Sequence, residues 1–290
     1  MSDQGVVLCA LCGGKTAPRF TVRGFRVYRC DACDLEFVHP LPAPAELSAV
    51  YSQGYFTGAG AGYSDYFGVE RASNQDKARR RLDILETLGI PRSGRVLDVG
   101  CADGTFVESA AERGFAAYGI EVSAEAMARM PAKIRPRVAR SYAEAAAWGP
   151  FDCITFWDVL EHLPDPAEAL RDARRLLTSG GIVGVCVPVI DNLNARLLPR
   201  SWDQYKPPEH LWFFSRKSMR KLLASEIGAV AFEETAWRRE SRIFDVALSF
   251  NRNGGRSLVR AESVVNRACV RAGLIREALL DDSVLLFARS

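Results

Sequence analysis

Val96-Leu97-Asp98-Val99-Gly100-Cys101-Ala102-Asp103-Gly104 runs from an apolar strand-like stretch into a glycine turn, and Thr105 to Arg113 then reads as a helix. Strand, glycine bend and helix start together make the first βα turn of an open parallel sheet. Such sheets bind ligands at the carboxyl ends of their strands, beside the switch in strand order. Gly100 and Gly104 let the backbone approach a ligand without a Cβ in the way. Glu121 ends the next strand, 23 residues after Asp98, where a carboxylate can accept hydrogen bonds from both hydroxyls of a ribose. A dinucleotide fingerprint would need glycine at 100, 102 and 105. The chain has Ala102 and Thr105 instead, which speaks against a nicotinamide dinucleotide.

Outward from this turn, strand and helix alternate. Strands are expected at Arg95–Val99, Ala116–Glu121, Arg137–Arg140, Phe151–Val159 and Gly181–Val189. Helices are expected at Thr105–Arg113, Ala124–Arg129, Ala143–Trp148 and Pro166–Leu177. This pattern predicts an α/β fold, a doubly wound and mostly parallel sheet covered on both faces. A helix at Ser215–Glu226, a strand at Val230–Trp237, helical segments within Ile243–Leu280 that cap the sheet, and a strand at Ser283–Arg289 complete it. Upstream, Glu70 to Leu88 reads as an amphipathic helix with Leu82, Leu85 and Leu88 at helical spacing, stopped by Gly89 and Pro91. Arg79, Arg80 and Arg81 read as a solvated helix face. A Gly- and Tyr-rich stretch, Gly54 to Phe67, is too irregular for a strand. Pro40-Leu41-Pro42-Ala43-Pro44 is a stiff linker. The expected division is 1–39 as a small module, 40–90 as linker and N-terminal segment, and 91–290 as the main α/β domain.

Cys9-Ala10-Leu11-Cys12 and Cys30-Asp31-Ala32-Cys33 are two Cys-x-x-Cys pairs separated by 17 residues. A Cys-x-x-Cys turn offers two thiolates from one knuckle, and two such turns supply the four soft ligands of a tetrahedral zinc site. Between them Phe20 to Val22 and Phe25 to Tyr28 alternate like short strands, with Arg23-Gly24 as a hairpin turn. The layout is that of a zinc ribbon. Four cysteines fill every position, so zinc at Cys9, Cys12, Cys30 and Cys33 would be structural. Cys101, Cys153, Cys186 and Cys269 are dispersed and read as small buried hydrophobes.

Over 290 residues the net charge is +3, with 48% hydrophobic and 25% charged residues. That balance belongs to a globular protein and gives no basic stripe for a nucleic acid. No apolar run reaches the length of a membrane span, about 20 residues, and Met1-Ser2-Asp3-Gln4 is unlike a secretory signal. The expected location is cytoplasmic.

Leu97 to Gly104 resembles the first motif of class I S-adenosylmethionine-dependent methyltransferases. Gly119-Ile120-Glu121 is similar to their ribose-binding acid. Phe151-Asp152 through Pro166 resembles their fourth strand and its loop, and Leu176 to Gly181 their turn before strand five. The motifs fall in the family's order. The resemblance implies a seven-stranded Rossmann-like sheet, S-adenosylmethionine as cofactor, and a methyltransferase domain behind the zinc ribbon. Gly100, Cys101 and Gly104 would then pass close to the methionine part. Asp98 would orient its ammonium, Glu121 would hold the ribose, and Trp157 and Asp158 would border the site. Ser141-Tyr142 lacks the family's usual adenine contact, so adenine recognition stays open.

Methyl transfer to a hydroxyl or carbon acid needs a base, and the chain has three histidines. His39 reads as a surface residue. His162 follows strand four in Glu161-His162, a pair similar to that of quinone-pathway O-methyltransferases. Glu209 and His210 lie in a Pro- and aromatic-rich segment, Lys206 to Ser215, suited to wall an acceptor pocket. That segment, the Tyr-rich stretch and the N-terminal cysteines together resemble bacterial sugar and polysaccharide-pathway methyltransferases, in which a Glu-His pair abstracts a proton. By this resemblance the acceptor is a small molecule, a sugar, nucleotide-sugar or glycan, methylated on oxygen or carbon. The alternatives are methylation of RNA or protein with the ribbon as recognition module, or a non-catalytic cofactor-binding protein.

Overall fold

The computed structural model describes residues 6–50, 71–197, 202–236 and 283–290. The Tyr-rich stretch from Gly54 to Phe67, the helices expected within Ile243–Leu280, and Cys269 lie outside the described residues. In chain order the strands are β1 (Thr16–Val22), β2 (Phe25–Cys30), β3 (Glu36–Val38), β4 (Arg95–Val99), β5 (Ala116–Ile120), β6 (Val138–Ala139), β7 (Phe151–Trp157), β8 (Leu177–Pro188), β9 (Trp212–Phe213), β10 (Val230–Ala236) and β11 (Ser283–Arg289). The helices are α1 (Pro44–Val50), α2 (Arg71–Thr87), α3 (Thr105–Arg113), α4 (Ala124–Arg129), α5 (Tyr142–Ala145), α6 (Pro166–Leu176), α7 (Leu193–Leu197) and α8 (Arg216–Glu226).

Among the described residues β10-β11-β8-β7-β4-β5-β6 form a seven-stranded sheet in that order. β4 pairs in parallel with β5 on one side and β7 on the other, so the strand order reverses at β4. The doubly wound, mostly parallel sheet expected from the alternation is present. The central strands carry no alternation because both faces are covered: Val96, Leu97, Ile154, Phe156, Val183 and Val185 are all buried. Each strand buries apolar area worth roughly 25 cal/mol per Å², which is why the short runs hold without strong local propensity. Asp165 caps α6, its carboxylate accepting from the Glu168 amide at 2.9 Å.

The chain divides into two compact units. One draws on residues within 1–40, 186–221 and 233–285, the other on 41–185, 222–232 and 286–290. In the first, β1, β2, β3 and β9 form an antiparallel sheet. The expected hairpin turn is there, with Arg23 and Gly24 at φ 49° and 85°, as a two-residue turn of this kind demands. The fourth strand, β9, comes from 175 residues further along the chain and pairs Phe213 with Glu36 and Trp212 with Phe37. Its core joins Val27 and Val38 of the hairpins to Ile190, Trp202, Tyr205 and Phe213. No described helix is long and apolar enough to cross a membrane.

Candidate functional site

At the carboxyl end of β4 the chain turns through Gly100 (φ 71°), Ala102 (φ 48°) and Gly104 (φ 77°), all in the left-handed region. A Cβ on Gly100 would stand 2.7 Å from Val159 Cγ2, and one on Gly104 2.9 Å from Ile134 Cγ2. Protein packing alone therefore demands both glycines, besides any ligand. Cys101 is buried, and burial holds its thiol well above the usual range. Packed against Gly119, its side chain is part of the floor, and only its backbone lines the turn.

Glu121 is buried at the end of β5. Its Oε2 accepts from the Ala102 amide at 2.9 Å and its Oε1 from the Ser123 amide at 2.7 Å. The carboxylate thus pins the glycine turn to β5, and each oxygen keeps lone-pair capacity for a further donor. Burial raises its pKa, against the pull of the Ser123 and Ala102 amides. Asp98, one strand over, is buried too, and its Oδ1 accepts from Thr155 Oγ1 at 2.8 Å. Burial pushes its pKa up to about 7, while the Thr155 hydroxyl and the nearby Arg81 charge oppose the rise.

At the end of β7, Trp157 stacks edge-on against Phe106 and Phe287, with ring centroids 5.4 and 6.1 Å away. Its indole Nε1 is buried without a hydrogen-bond partner. Asp158 follows in the left-handed region at φ 57°. Arg81 lies over the Trp157 ring, 4.2 Å from its centroid, and reaches to 3.7 Å from Asp158. The solvated face expected for Arg79, Arg80 and Arg81 holds for the first two, which are exposed. Arg81 departs from it, with a side chain only 14% exposed. Helical phase is the reason: Arg81 lies three residues after buried Ala78 and four before buried Leu85. Arg71 bridges Asp103 and Glu108 at 3.1 and 2.9 Å, tying the start of α2 to the turn. Asp98, the Gly100–Gly104 turn, Glu121, Trp157 and Asp158 are therefore brought to one strand-end rim. Arg81 and Thr155 join them unanticipated. The signal for Arg81 was available, since a cation at a buried helical phase needs a partner.

Glu161 and His162 sit on a single helical turn after β7, with His162 Nε2 3.9 Å from Glu161 Oε1. In the other unit Glu209 is buried and ion-paired with Lys206 at 3.2 Å. His210 is 3% exposed, and its Nδ1 lies 3.0 Å from the Gln204 carbonyl. A carbonyl only accepts, so Nδ1 carries the proton and Nε2 the lone pair of the neutral ring. That is the tautomer a general base requires.

The sulfurs of Cys9, Cys12, Cys30 and Cys33 lie within 4.8 Å of one another, with Cys9–Cys33 and Cys12–Cys30 at 3.6 and 3.5 Å. Zinc–sulfur bonds of about 2.3 Å in a tetrahedron imply sulfur–sulfur edges of roughly 3.8 Å, so the donor set fits zinc. Each knuckle closes through a left-handed residue, Gly13 at φ 68° and Asp34 at φ 62°. Cys101, Cys153 and Cys186 are separately buried.

Residues 71–229 match a family model described as a methyltransferase domain. The ubiquinone biosynthesis O-methyltransferase of Sodalis glossinidius (strain morsitans) is 39% identical over 113 residues, covering 36% of this chain and 45% of that protein. The protein of the same name from Xanthomonas oryzae pv. oryzae (strain PXO99A) is 30% identical over 191 residues, covering 56% and 76%. The chain spans about half the length of the first of these relatives. Among solved structures, a SAM-dependent methyltransferase from Archaeoglobus fulgidus superposes with a TM-score of 0.50 at 18% identity, covering 76% of this chain and 94% of that one. Magnesium protoporphyrin IX methyltransferase from Synechocystis PCC 6803, solved with bound SAH, gives 0.52 at 13% identity, covering 84% and 98%. At such identities these two speak for the fold alone. The named relatives belong to ubiquinone biosynthesis, and the expected sugar-pathway similarity has no counterpart in them. Glycine turn, buried strand-end acid, strand order and family match agree: the chain belongs to the class I S-adenosylmethionine-dependent methyltransferase family.

Proposed function

We propose that this protein transfers the methyl group of S-adenosylmethionine to a hydroxyl oxygen of a small molecule. The observation that carries the reading is the Glu121 carboxylate, buried at the end of β5 and clasping the glycine turn through the Ala102 and Ser123 amides. The oxygen acceptor is favoured by the names of the two relatives described above, both O-methyltransferases.

The cofactor, when bound, supplies a methyl group already activated on a sulfonium sulfur. The chain's own residues do the rest. Glu121 accepts from the ribose hydroxyls, and Asp98 in its ionised form accepts from the methionine ammonium. The backbone of Gly100, Cys101 and Gly104 lies along the methionine part. Arg81 offers the cation that a methionine carboxylate needs, and Trp157 and Asp158 border the methyl end. Val122, next to Glu121, is 69% exposed, an apolar surface for the adenine. His210, through Nε2, would be the group that holds the proton of an accepting hydroxyl, with Glu209 and His162 as further candidates. Positioning and exclusion of water carry most of the remaining work. Zinc at the four cysteines is structural in this reading.

Calorimetry with S-adenosylmethionine, followed by label transfer from its methyl group to panels of phenols, catechols and sugars, tests the proposal. Uptake with transfer to a hydroxyl is the expected result, and no cofactor uptake overturns it.

Two predictions attach to the cofactor. Asp98 has a folded pKa of about 7, and the ammonium needs the ionised carboxylate, so affinity falls as pH drops through that value. S-Adenosylmethionine should bind about tenfold tighter at pH 7 than at pH 5.5, and Asp98→Asn should flatten that dependence in calorimetric titrations across the range. For stability the dependence on pH has the opposite sign. A carboxyl whose pKa is raised on folding favours the protonated form, so it costs stability above its unfolded pKa and the cost fades as pH falls from about 7 towards 4. In the second prediction, Val122→Asp places a charge against the adenine and should weaken S-adenosylhomocysteine binding about tenfold, with thermal stability nearly unchanged at this exposed position. Equal affinities of variant and wild type would remove Val122 from the site.

A further inference from the structure

Both flanks of the segment that carries Glu209 and His210 are fastened to the cysteine hairpins. On one flank, the Tyr205 hydroxyl donates to Glu36 Oε2 at 2.6 Å, and this fully buried carboxylate of β3 also pairs with Arg19 and Arg29. On the other flank, the Val38 amide donates to the Leu211 carbonyl at 2.9 Å, and Trp212–Phe213 adds to β3 as β9. Beyond β9, Ser215 Oγ donates to the carbonyl of Cys33 at 3.4 Å, and Lys217 Nζ lies 3.2 Å from Asp34. The last two anchors grip the second knuckle itself. β3 is three residues long, and a strand so short has little stability of its own. Its position is inherited from the Cys30–Cys33 knuckle immediately before it.

We propose that the four-cysteine centre is a positioning device for residues 205–217: a metal ion there fixes the second knuckle and β3, and through them holds Glu209 and His210 in place. The inference rests on the function proposed above for its consequence in turnover, but not for its structural content. It assigns the ribbon an internal task in place of recognising a macromolecule. The cysteines act here through other residues and touch no substrate.

The test uses the full chain, with zinc content measured by atomic emission, before and after stripping with a chelator. In the stripped protein, amide hydrogen exchange over 205–217 should rise about tenfold or more, while exchange in β4, β5 and β7 stays within about twofold. S-Adenosylhomocysteine affinity should also stay within about twofold, and zinc alone, added back, should restore slow exchange. With an accepting hydroxyl compound in hand, kcat should drop in step with the loss of protection. If stripping unfolds the whole chain, Ser215→Ala combined with Lys217→Ala supplies the second arm. That variant keeps its zinc, and exchange over 205–217 should still rise several-fold because the anchors to the knuckle are gone. Four outcomes overturn the proposal: a chain isolated without bound metal, unchanged exchange over 205–217 on stripping, a rise equal throughout both units in a stripped chain that stays folded, or unchanged exchange in the double variant. Failure of cofactor binding in the intact protein would instead sink the proposed function and leave the exchange result standing.

Discussion

Glu121→Ala should weaken S-adenosylmethionine binding by roughly 100-fold, or about 3 kcal/mol, the scale of two hydrogen bonds from a charged acceptor after partial compensation by water. In the proposed reading the carboxylate has two tasks, and the variant removes both. It accepts from the buried Ala102 and half-buried Ser123 amides, so its loss leaves both donors without this partner and should also cost the ligand-free protein about 1–3 kcal/mol. A fall in affinity alone would therefore not distinguish a ribose contact from a loosened turn. Comparing S-adenosylhomocysteine with its 2′,3′-dideoxy analogue does. Wild type should discriminate strongly between the two, and Glu121→Ala hardly at all, because the coupling between carboxylate and hydroxyls is what the double cycle isolates. Equal discrimination in both proteins would mean that Glu121 serves only the turn.

How much of this was legible beforehand depends on how local each cause is. The β4 strand, its glycine turn and Glu121 were readable because an apolar run, a glycine and a strand-end acid are each decided within a few residues. The Cys-x-x-Cys pairs were readable for the same reason. What the glycines do was only half readable: Gly100 and Gly104 invite a ligand, but Val159 and Ile134 already exclude a side chain at both. β9 was not readable. Two residues, Trp212 and Phe213, pair with β3 across 175 and 177 positions, and aromatic composition alone suggests a pocket wall. Arg81 sits between these cases. Its charge argued for solvent, its phase beside Ala78 and Leu85 argued for burial, and Trp157 with Asp158 provides the environment that lets burial win. Thr155 as the partner of Asp98 follows from β4 and β7 being neighbours, a fact of sheet order and not of sequence spacing.

His210→Ala should lower kcat by about 10²- to 10⁴-fold, the usual worth of a positioned general base, and leave S-adenosylmethionine affinity within about twofold. The expectation begins with the Gln204 carbonyl. At 3.0 Å from Nδ1 it can only accept, so it fixes the proton on that nitrogen and presents Nε2 as the basic one. A histidine with a purely structural role would satisfy the same geometry, and at 3% exposure its removal leaves a cavity and strips the Gln204 carbonyl of one of two donors, the Lys206 amide at 2.9 Å being the other, which loosens the segment in either case. The separation of the two roles lies in the replacement and in the pH profile. His210→Gln restores much of the volume and can donate from its amide to the Gln204 carbonyl, yet it has no group that takes a proton near neutral pH. A structural role predicts that His210→Gln recovers most of the lost turnover. A base predicts that it recovers stability and hydrogen-exchange protection while turnover stays low and loses its rise with pH, and acceptors with more acidic hydroxyls regain the most rate because they depend least on a base. Should His210→Ala turn over normally with any accepted hydroxyl, the proton goes elsewhere, and Glu161-His162 becomes the pair to substitute next.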